Sequence, residues 1–286
     1  MTKRIERRRS TWYAVNVKAR ARGNMNPQYY TDVIHRLQES DPLVHLRGDR
    51  YMSIRSVVYS EIHDSENIPN WIKINLSAYT ILNSEDFYNR RSKEDVEVVL
   101  DPDIVANKKE TELIFVPSVH VLSFRRYGDL TLNSVVTYLE NALKQVEGEG
   151  AFDVDVVKDR DVLNQIITSY KVITFKAQIS YSNPGHTTGF RAQFEGKTRD
   201  LGGNKLEVNA YGSKDNPLQK EPDGLLQTLV EMSEENGSVE ATVQETEHSG
   251  LKKIDTSKHP LVFSVLHNTE EIISTIYNEL KTRFGH

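Results

Sequence analysis

TWYAVNV, residues 11–17, is the stretch on which the fold prediction rests. Its residues alternate and are rich in aromatic and β-branched types, which is typical of a β-strand. Basic residues flank it on both sides: from Lys3 to Arg22 the chain has eight Lys or Arg residues and one acid, Glu6, a balance of +7. The whole chain carries −5, so the remaining residues sum to −12. A basic strand therefore begins an otherwise acidic protein.

The composition sets the broad class of the protein. Its 286 residues are 37% hydrophobic and 27% charged, which is typical of a soluble globular chain. The absence of cysteine excludes a disulfide framework and thiolate metal sites, and it fits a reducing cytosol. Lys18, Arg20 and Arg22 interrupt the early apolar run too soon for a signal peptide, and no apolar run is long enough to span a membrane. We therefore expect a cytoplasmic protein without a membrane segment.

Hydrophobic periodicity predicts the secondary structure and the fold class. Apolar residues at helical spacing predict amphipathic helices at 27–40, 131–147, 159–169, 221–236 and 269–284. Alternating or β-branched runs predict strands at 11–17, 43–47, 51–62, 71–79, 111–124, 152–157, 171–182, 206–212, 238–243 and 259–267, and Pro117 divides the fifth of these. The prediction is an α+β fold with mixed β-sheets and amphipathic helices packed on one face, including a β-α-β-α-β run at about 119–182.

One segment departs from these patterns. Residues 83–110 are highly charged, with only the short apolar run VEVVL in the middle. They are predicted to form an exposed insertion or a long loop, with room for one edge strand. This segment is the best candidate for a boundary between residues 1–110, with the basic strand, a helix and a hairpin, and residues 111–286, an α+β region ending in a helix. One continuous domain is the alternative.

Motifs for cofactors and metals are missing from the sequence. GGNK at 202–205 lacks the first Gly and the Ser or Thr of a phosphate-binding loop, and SNPGHTTG at 182–189 lacks the spacing of a dinucleotide fingerprint. The nine His residues include no pair at metal-ligand spacing, and no GxSxG elbow is present. We therefore expect no cofactor, no metal and no recognised catalytic residues.

Clustered acids leave one enzymatic alternative open. Asp153 and Asp155 would share one face of a strand, and with Glu195 of the Glu-Gly-Lys stretch they could hold a divalent cation in a nuclease site. The alternative is a solvated strand edge, with Asp159 capping the following helix. We favour this second interpretation, because Gly196 and the surrounding charges make the stretch at Glu195 a poor central strand.

The basic residues predict a phosphate-binding face. The candidates for nucleic-acid contacts are Arg4, Arg7, Arg8, Arg9, Lys18, Arg20 and Arg22 around the first strand, Arg47 and Arg50 at a hairpin turn, and Arg125 and Arg126 after a later strand. In a strand the two flanking clusters would lie roughly 25–35 Å apart, a span that could meet several phosphates. The alternatives are an acidic partner protein that docks on the same face, or a solvated tail without a partner.

Several of these segments occur in the order that a known family shows. They are TWYAVNV, RGDRY (47–51), HVLSF (120–124), VDVVKDRDVLNQII (154–167), VITFKAQISYSNP (172–184), NGSVEATV (236–243) and TSKHP (256–260). Together they make most of the chain resemble the bacterial family catalogued as domain of unknown function 4747. Such proteins are associated with mobile elements and antiviral gene neighbourhoods, so the resemblance implies a defence role without a mechanism. A looser similarity in size and layout to RexA, a DNA-binding phage-exclusion protein, is an analogy of fold only.

We therefore expect a non-catalytic nucleic-acid-binding or sensing component of a bacterial antiviral defence system that uses its basic N-terminal face. Two alternatives stay open: a protein-interaction subunit of a defence complex, and a metal-dependent nuclease with an unrecognised site. Nucleic acid is the expected partner, whether DNA or RNA. A partner protein from a defence operon and a homo-oligomer are further options.

Overall fold

The structure is a computed structural model and describes residues 7–20, 26–61, 68–101, 103–126, 128–180, 194, 196–197 and 205–285. Arg4, Arg22 and Glu195, three of the residues singled out in the sequence, lie outside these ranges. Within the described residues the chain forms fourteen β-strands and five α-helices. The predicted α+β class is confirmed.

The elements follow one another along the chain with these bounds. The strands are β1 (Arg8–Ala19), β2 (Val44–Arg47), β3 (Arg50–Tyr59), β4 (Ile72–Thr80), β5 (Tyr88–Asn89), β6 (Glu94–Asp95), β7 (Ala106–Val116), β8 (Val121–Arg125), β9 (Phe152–Val156), β10 (Lys171–Ser180), β11 (Lys205–Tyr211), β12 (Gly237–Gln244), β13 (Leu251–Asp255) and β14 (Val262–His267). The helices are α1 (Pro27–Ser40), α2 (Leu132–Glu147), α3 (Arg160–Thr168), α4 (Leu225–Asn236) and α5 (Ile272–Phe284).

The larger sheet is organised around β1. Its order is β14-β1-β8-β7-β4-β3-β2, and every pair in it is antiparallel. Along one side β1 pairs with β8, and along the other it pairs first with β14 and then with β9. Three strands from distant parts of the chain thus pair with this one strand. The sheet also combines strands from both sides of residue 110, and β7 itself crosses that position.

Alternation along β1 sends its side chains into two separate cores. Val15 and Val17 point into the core that α1 and α2 cover, whereas Trp12 and Ala14 point into the core beneath α5. The sequence predicts helices on one face, and the structure places helices on both faces of this sheet. Both sides of β1 are therefore buried, so apolar residues lie on both of its faces, in contrast to the predicted alternation.

Local signals define the first two helices. The side chain of Asn26 accepts a hydrogen bond from the Tyr29 N–H at 3.0 Å, and Pro27 occupies the first helical turn of α1. The side chain of Thr131 caps α2 in the same way, from the Ser134 N–H at 3.2 Å. Both helices begin where the sequence predicts them to begin, to within one residue.

The smaller sheet is a unit of two similar halves. Its order is β11-β10-β12-β13, and α3 and α4 pack their apolar residues against one face of it. The chain order is α3-β10-β11 and then α4-β12-β13, with β10 and β12 paired antiparallel in the middle. Each half is therefore one helix followed by two strands. The short strand β13 has no counterpart in the sequence prediction.

The predicted β-α-β-α-β run exists, but it does not form one sheet. Its elements are β8, α2, β9, α3 and β10. The strands β8 and β9 lie on opposite sides of β1 in the larger sheet, and β10 belongs to the smaller sheet. The run therefore leads the chain from one sheet into the other.

The charged insertion is shorter than its predicted range. Residues 106–110 already belong to β7, so the insertion between β4 and β7 ends at residue 105. It contains the two-residue strands β5 and β6, while VEVVL (96–100) is not assigned to a strand. As predicted, the chain leaves the strand at Pro117: β7 ends at Val116 and β8 begins at Val121.

A buried polar cluster joins the two sheets at the end of β1. Lys18 is only 3% exposed, and its ammonium donates hydrogen bonds to Ser180 Oγ of β10 at 3.1 Å and to Asn236 Oδ1 at the end of α4. The carboxylate of Asp155 on β9 lies 3.3 Å from the same ammonium and accepts a hydrogen bond of 2.6 Å from Ser180. One lysine thus holds β1, β9, β10 and α4 together.

The neighbouring residue pair extends this cluster toward the surface. The guanidinium of Arg20 donates to both carboxylate oxygens of Asp153, with Nε 2.6 Å from Oδ2. Such a two-point contact is the strongest geometry for an arginine and a carboxylate. Lys18 and Arg20 at the end of β1 therefore form ion pairs with Asp155 and Asp153 of the neighbouring strand β9.

Leu139 tests the packing of α2. It is 4% exposed in the core between the larger sheet and α1. Leu139→Asp would bury a carboxylate without a partner, so the free energy of unfolding should fall by several kcal/mol. Urea denaturation followed by circular dichroism measures the loss. The matched control is Asn141→Asp on the exposed face of the same helix, and equal stability of the two variants would contradict this packing.

Lys18 tests the junction between the sheets. Lys18→Met leaves Asp155 without its cation in a largely buried site, so we expect a loss of about 3–5 kcal/mol in the free energy of unfolding at pH 7. The double variant Lys18→Met with Asp155→Asn should lose less than Lys18→Met alone. Arg36→Met is the control, because its ion pair with Glu147 is partly exposed and is worth about 1 kcal/mol or less.

The pH dependence of stability is a second measurement that tests the burial of Lys18. Burial lowers the pKa of Lys18 below its usual 10.5, while Asp155 and Asp153 oppose that shift. Between the folded-state pKa and 10.5 the unfolded chain binds a proton that the folded protein has released, so the stability of the wild type should rise with pH relative to Lys18→Met. If the difference in the free energy of unfolding between the two proteins stays constant from pH 7 to pH 10, this would contradict the burial of the Lys18 amine.

Candidate nucleic-acid interface

Five arginines meet where β1 begins and β8 ends. Arg7, Arg8 and Arg9 are exposed at the start of β1. Arg125 lies opposite Trp12 in the pairing of β1 with β8, and the Arg126 N–H donates to the carbonyl oxygen of Thr11 at 2.8 Å. The five residues Arg7, Arg8, Arg9, Arg125 and Arg126 are called the basic end below. Its two parts are separated by more than a hundred residues of sequence and come together only through strand pairing.

Aromatic rings of β1 support two of these guanidinium groups. The guanidinium carbon of Arg125 lies 5.7 Å from the centre of the Trp12 ring, and that of Arg126 lies 5.9 Å from the centre of the Tyr13 ring. Trp12 is itself fixed, because its Nε1–H donates to Ser10 Oγ at 2.7 Å. Contacts of this kind contribute about 0.5–1 kcal/mol at exposed sites. The two arginines are thus held on opposite faces of the sheet at its end.

The electrostatic surroundings leave positive charge available at the basic end. Arg7, Arg9 and Arg125 form no ion pair with an acidic side chain in the described part of the chain. Most other cations on the larger sheet are paired, for example Lys73 with Glu112 at 2.5 Å and Arg55 with Glu110. Guanidinium groups without a carboxylate partner can donate to an external anion.

Arg47 and Arg50 lie at the same end of the sheet but apart from the basic end. They flank the turn between β2 and β3, where Gly48 has the positive φ of 58° that the turn requires. Arg50 is half-buried, and β3 is four strands from β1, roughly 19 Å at about 4.8 Å per strand. The structure therefore does not bring this pair together with the five arginines.

Lys18 and Arg20 lie at the opposite end of β1, about 30 Å from Arg9 at about 3.3 Å per residue. The sequence predicts them as phosphate contacts, and the structure corrects this for Lys18. Its ammonium is buried against Asp155, Ser180 and Asn236, so it cannot reach an external phosphate. Arg20 is half-buried and its guanidinium is occupied by Asp153.

The same contacts bear on the acids considered for a nuclease. Asp153 and Asp155 share one face of β9, as the sequence predicts, but Arg20 and Lys18 neutralise them. A cavity of about 280 Å³ adjoins both carboxylates and Glu140. Partial burial and the nearby Asp155 and Asp153 raise the pKa of Glu140. Asp159 caps α3 through a 2.9 Å contact with the Asp161 N–H, as predicted.

Among the described residues, no group of three or more His, Asp or Glu side chains is placed to hold a metal ion. Glu195, the third acid of the nuclease alternative, lies outside those residues. Nothing in the described residues therefore adds a metal site to the basic end.

A polar groove of about 580 Å³ continues from the basic end across the larger sheet. Trp12, Arg125 and Asp129 are among the residues that line it, together with the ion pairs Arg55–Glu110 and Lys73–Glu112. Arg55 and Lys73 are not among the predicted site residues, because single cations that alternate with apolar residues are ordinary in a half-exposed strand. The balanced charges make this groove a weaker anion site than the basic end.

The described helices include none that is long and apolar enough to cross a membrane. Chemically, the guanidinium groups of the basic end can donate several N–H groups to phosphate oxygens. The geometry thus suits binding of a polyanion.

Comparison with known proteins assigns the family. No curated protein matches the chain significantly. The family model described as Domain of unknown function (DUF4747) matches residues 8–282, from the start of β1 almost to the end of α5. This match covers most of the chain, so the protein belongs to the DUF4747 family.

Proposed function

We propose that this protein binds nucleic acid through its basic end and acts as a non-catalytic binding or sensing component of a bacterial antiviral system. The observation that carries the proposal is the meeting of Arg7, Arg8 and Arg9 with Arg125 and Arg126 at one end of the larger sheet. Two separate basic segments would not need to converge if each were only a solvated surface feature.

Phosphate is the ligand that this arrangement fits best. Duplex nucleic acid carries one negative charge per about 1.7 Å of helix axis, so neighbouring phosphates can engage several guanidinium groups at once. Arginine also matches phosphate oxygens with two parallel N–H donors. The rest of the chain is acidic, and it repels nucleic acid from the other surfaces. Binding is therefore confined to one end of the molecule.

The contacts are expected to read the phosphate backbone and not the sequence of bases. The basic end lies where two inner strands of the sheet end, and its described residues include no helix that could enter a major groove. Trp12 is 1% exposed and lies beneath Arg125, so it offers no face for a base to stack on. We expect similar affinities for different sequences.

The defence role rests on the family and not on a geometric feature. The resemblance to this family implies an association with antiviral gene neighbourhoods, and a nucleic-acid sensor is a component that such a system requires. Phage plating on cells that carry the gene with its neighbours tests this role separately. Protection that disappears when Arg7, Arg8 and Arg9 are replaced by Ala would support it, and unchanged protection would remove the basic end from that role.

Salt dependence tests the binding proposal directly. With about four to six phosphate contacts, the plot of log affinity against log salt concentration should have a slope near −4 to −5. Replacing Arg7, Arg8 and Arg9 by Ala should make that slope shallower by about two to three units and weaken binding to all sequences alike. Fluorescence anisotropy with labelled DNA and RNA duplexes measures both quantities.

The matched control replaces Lys252, Lys253 and Lys258, three exposed cations on the smaller-sheet side, by Ala and changes the net charge equally. This variant should keep the wild-type slope. Equal affinity and slope in wild type and the arginine variant would contradict the proposal and favour a partner protein at the basic end. The assay is repeated with Mg²⁺, and cleavage that needs the metal would favour the nuclease alternative.

A further inference from the structure

The insertion between β4 and β7 exposes more apolar surface than its charge suggests. Five apolar side chains in it are exposed: Ile81, Tyr88, Val96, Val99 and Ile104. Val99 is 99% exposed, Ile104 is 66% exposed and Tyr88 is 55% exposed. Single exposed apolar residues are common on protein surfaces, but five within 24 residues are a feature that needs an explanation.

Hydrogen bonds within the insertion form a short hairpin. Its tip is the pairing of β5 with β6. Beyond it, the Val96 N–H donates to the Phe87 carbonyl at 2.8 Å and the Val98 N–H donates to the Ser84 carbonyl at 3.1 Å. Residues 96–100 therefore continue alongside residues 84–87 after the regular strands end. Residues 84–100 are called the projecting hairpin below.

The outer edge of this hairpin is open. In an extended chain alternate N–H groups point to opposite sides, so those of Glu97 and Val99 point away from residues 84–87. Neither N–H has a hydrogen-bond partner among the described residues. The sequence of this edge, VEVVL, is rich in β-branched residues, which favour strands. The edge thus has the composition of a strand, and no described residue pairs with it on its outer side.

The charge of the insertion selects what can pair with this edge. Residues 83–105 contain seven Asp or Glu residues and three Lys or Arg residues, a balance of −4. Glu97 lies within the open edge, and Asp101 follows it closely. The insertion of a second copy would place a charge of −4 next to the same charge of −4, which is unfavourable. Nucleic acid would also be repelled by these acidic residues. The complementary occupant is an extended peptide segment that carries positive charge.

We propose that residues 96–100 are a docking edge for an extended segment of a partner protein in which Lys or Arg alternates with apolar residues. The segment adds as a strand, and its backbone bonds to the N–H and C=O groups of Glu97 and Val99. Its apolar side chains cover Val99, and its cations lie near Glu97 and Asp101. This surface differs from the basic end in both charge and location along the chain, so the proposal does not depend on nucleic-acid binding.

A peptide library tests the docking edge with the intact protein. Random 12-residue peptides displayed on phage are selected on the immobilised protein, and the enriched sequence is synthesised with a fluorescent label. We expect alternating apolar and basic residues in the enriched peptides. Val99→Pro removes one outward N–H while allowing an extended backbone, and it should weaken the labelled peptide at least tenfold.

Two matched variants distinguish strand addition from non-specific hydrophobic binding. Val99→Thr keeps the N–H and the β-branched shape, so it should bind the peptide within about threefold of wild type. Val58→Asp is the control for an exposed apolar residue elsewhere, and this variant should bind the peptide like wild type. A proline is not used at this position, because Val58 lies within a paired strand. Circular dichroism melting verifies that all variants stay folded.

Three outcomes would overturn the proposal. The first is a selection without an enriched sequence, or with an acidic one. The second is peptide binding that Val99→Pro leaves unchanged. The third is a dimer, seen by analytical ultracentrifugation, that Val99→Pro dissociates, because the edge would then pair with a second copy. None of these outcomes bears on the salt slope at the basic end, so the two proposals can fail separately.

Discussion

The ion pairs between the end of β1 and β9 are the constraint on which the arrangement of the two sheets depends. Lys18 contacts Asp155, and Arg20 contacts Asp153. Through Ser180 and Asn236 the same lysine also reaches the smaller sheet and α4. Buried ion pairs gain little over apolar packing, but they specify geometry because a misplaced charge is costly. The cluster therefore contributes to fixing where the smaller sheet sits against β1.

This constraint also divides the basic opening of the chain into two parts with different roles. Along a single strand, the cations before TWYAVNV and those after it look equivalent in sequence. After folding, Lys18 is buried and Arg20 is occupied, whereas Arg7 and Arg9 are exposed and have no carboxylate partner in the described residues. Positive charge that would otherwise spread over about 30 Å is thus confined to one end of β1.

The same end of the larger sheet also carries the acidic projecting hairpin. It leaves the sheet between the basic end and the turn that holds Arg47 and Arg50. Two surfaces of opposite charge on one rim can engage two different partners, a polyanion and a basic peptide. The proposed binding and docking roles are therefore compatible, and together they describe a component that links nucleic acid to another protein.

Sequence alone determined the elements whose signals are local. The aromatic and β-branched residues of TWYAVNV, the helical spacing in α1 and α2, and the break at Pro117 all act over a few residues, and each predicts an element or a boundary that the structure contains. Only the tertiary structure decided which strands pair, which helices lie on which face, and which cations stay exposed. Arg125 meets β1, and Asp155 meets Lys18, across more than a hundred residues. Such contacts depend on the register of distant strands and on the desolvation of their charges, which no local pattern encodes.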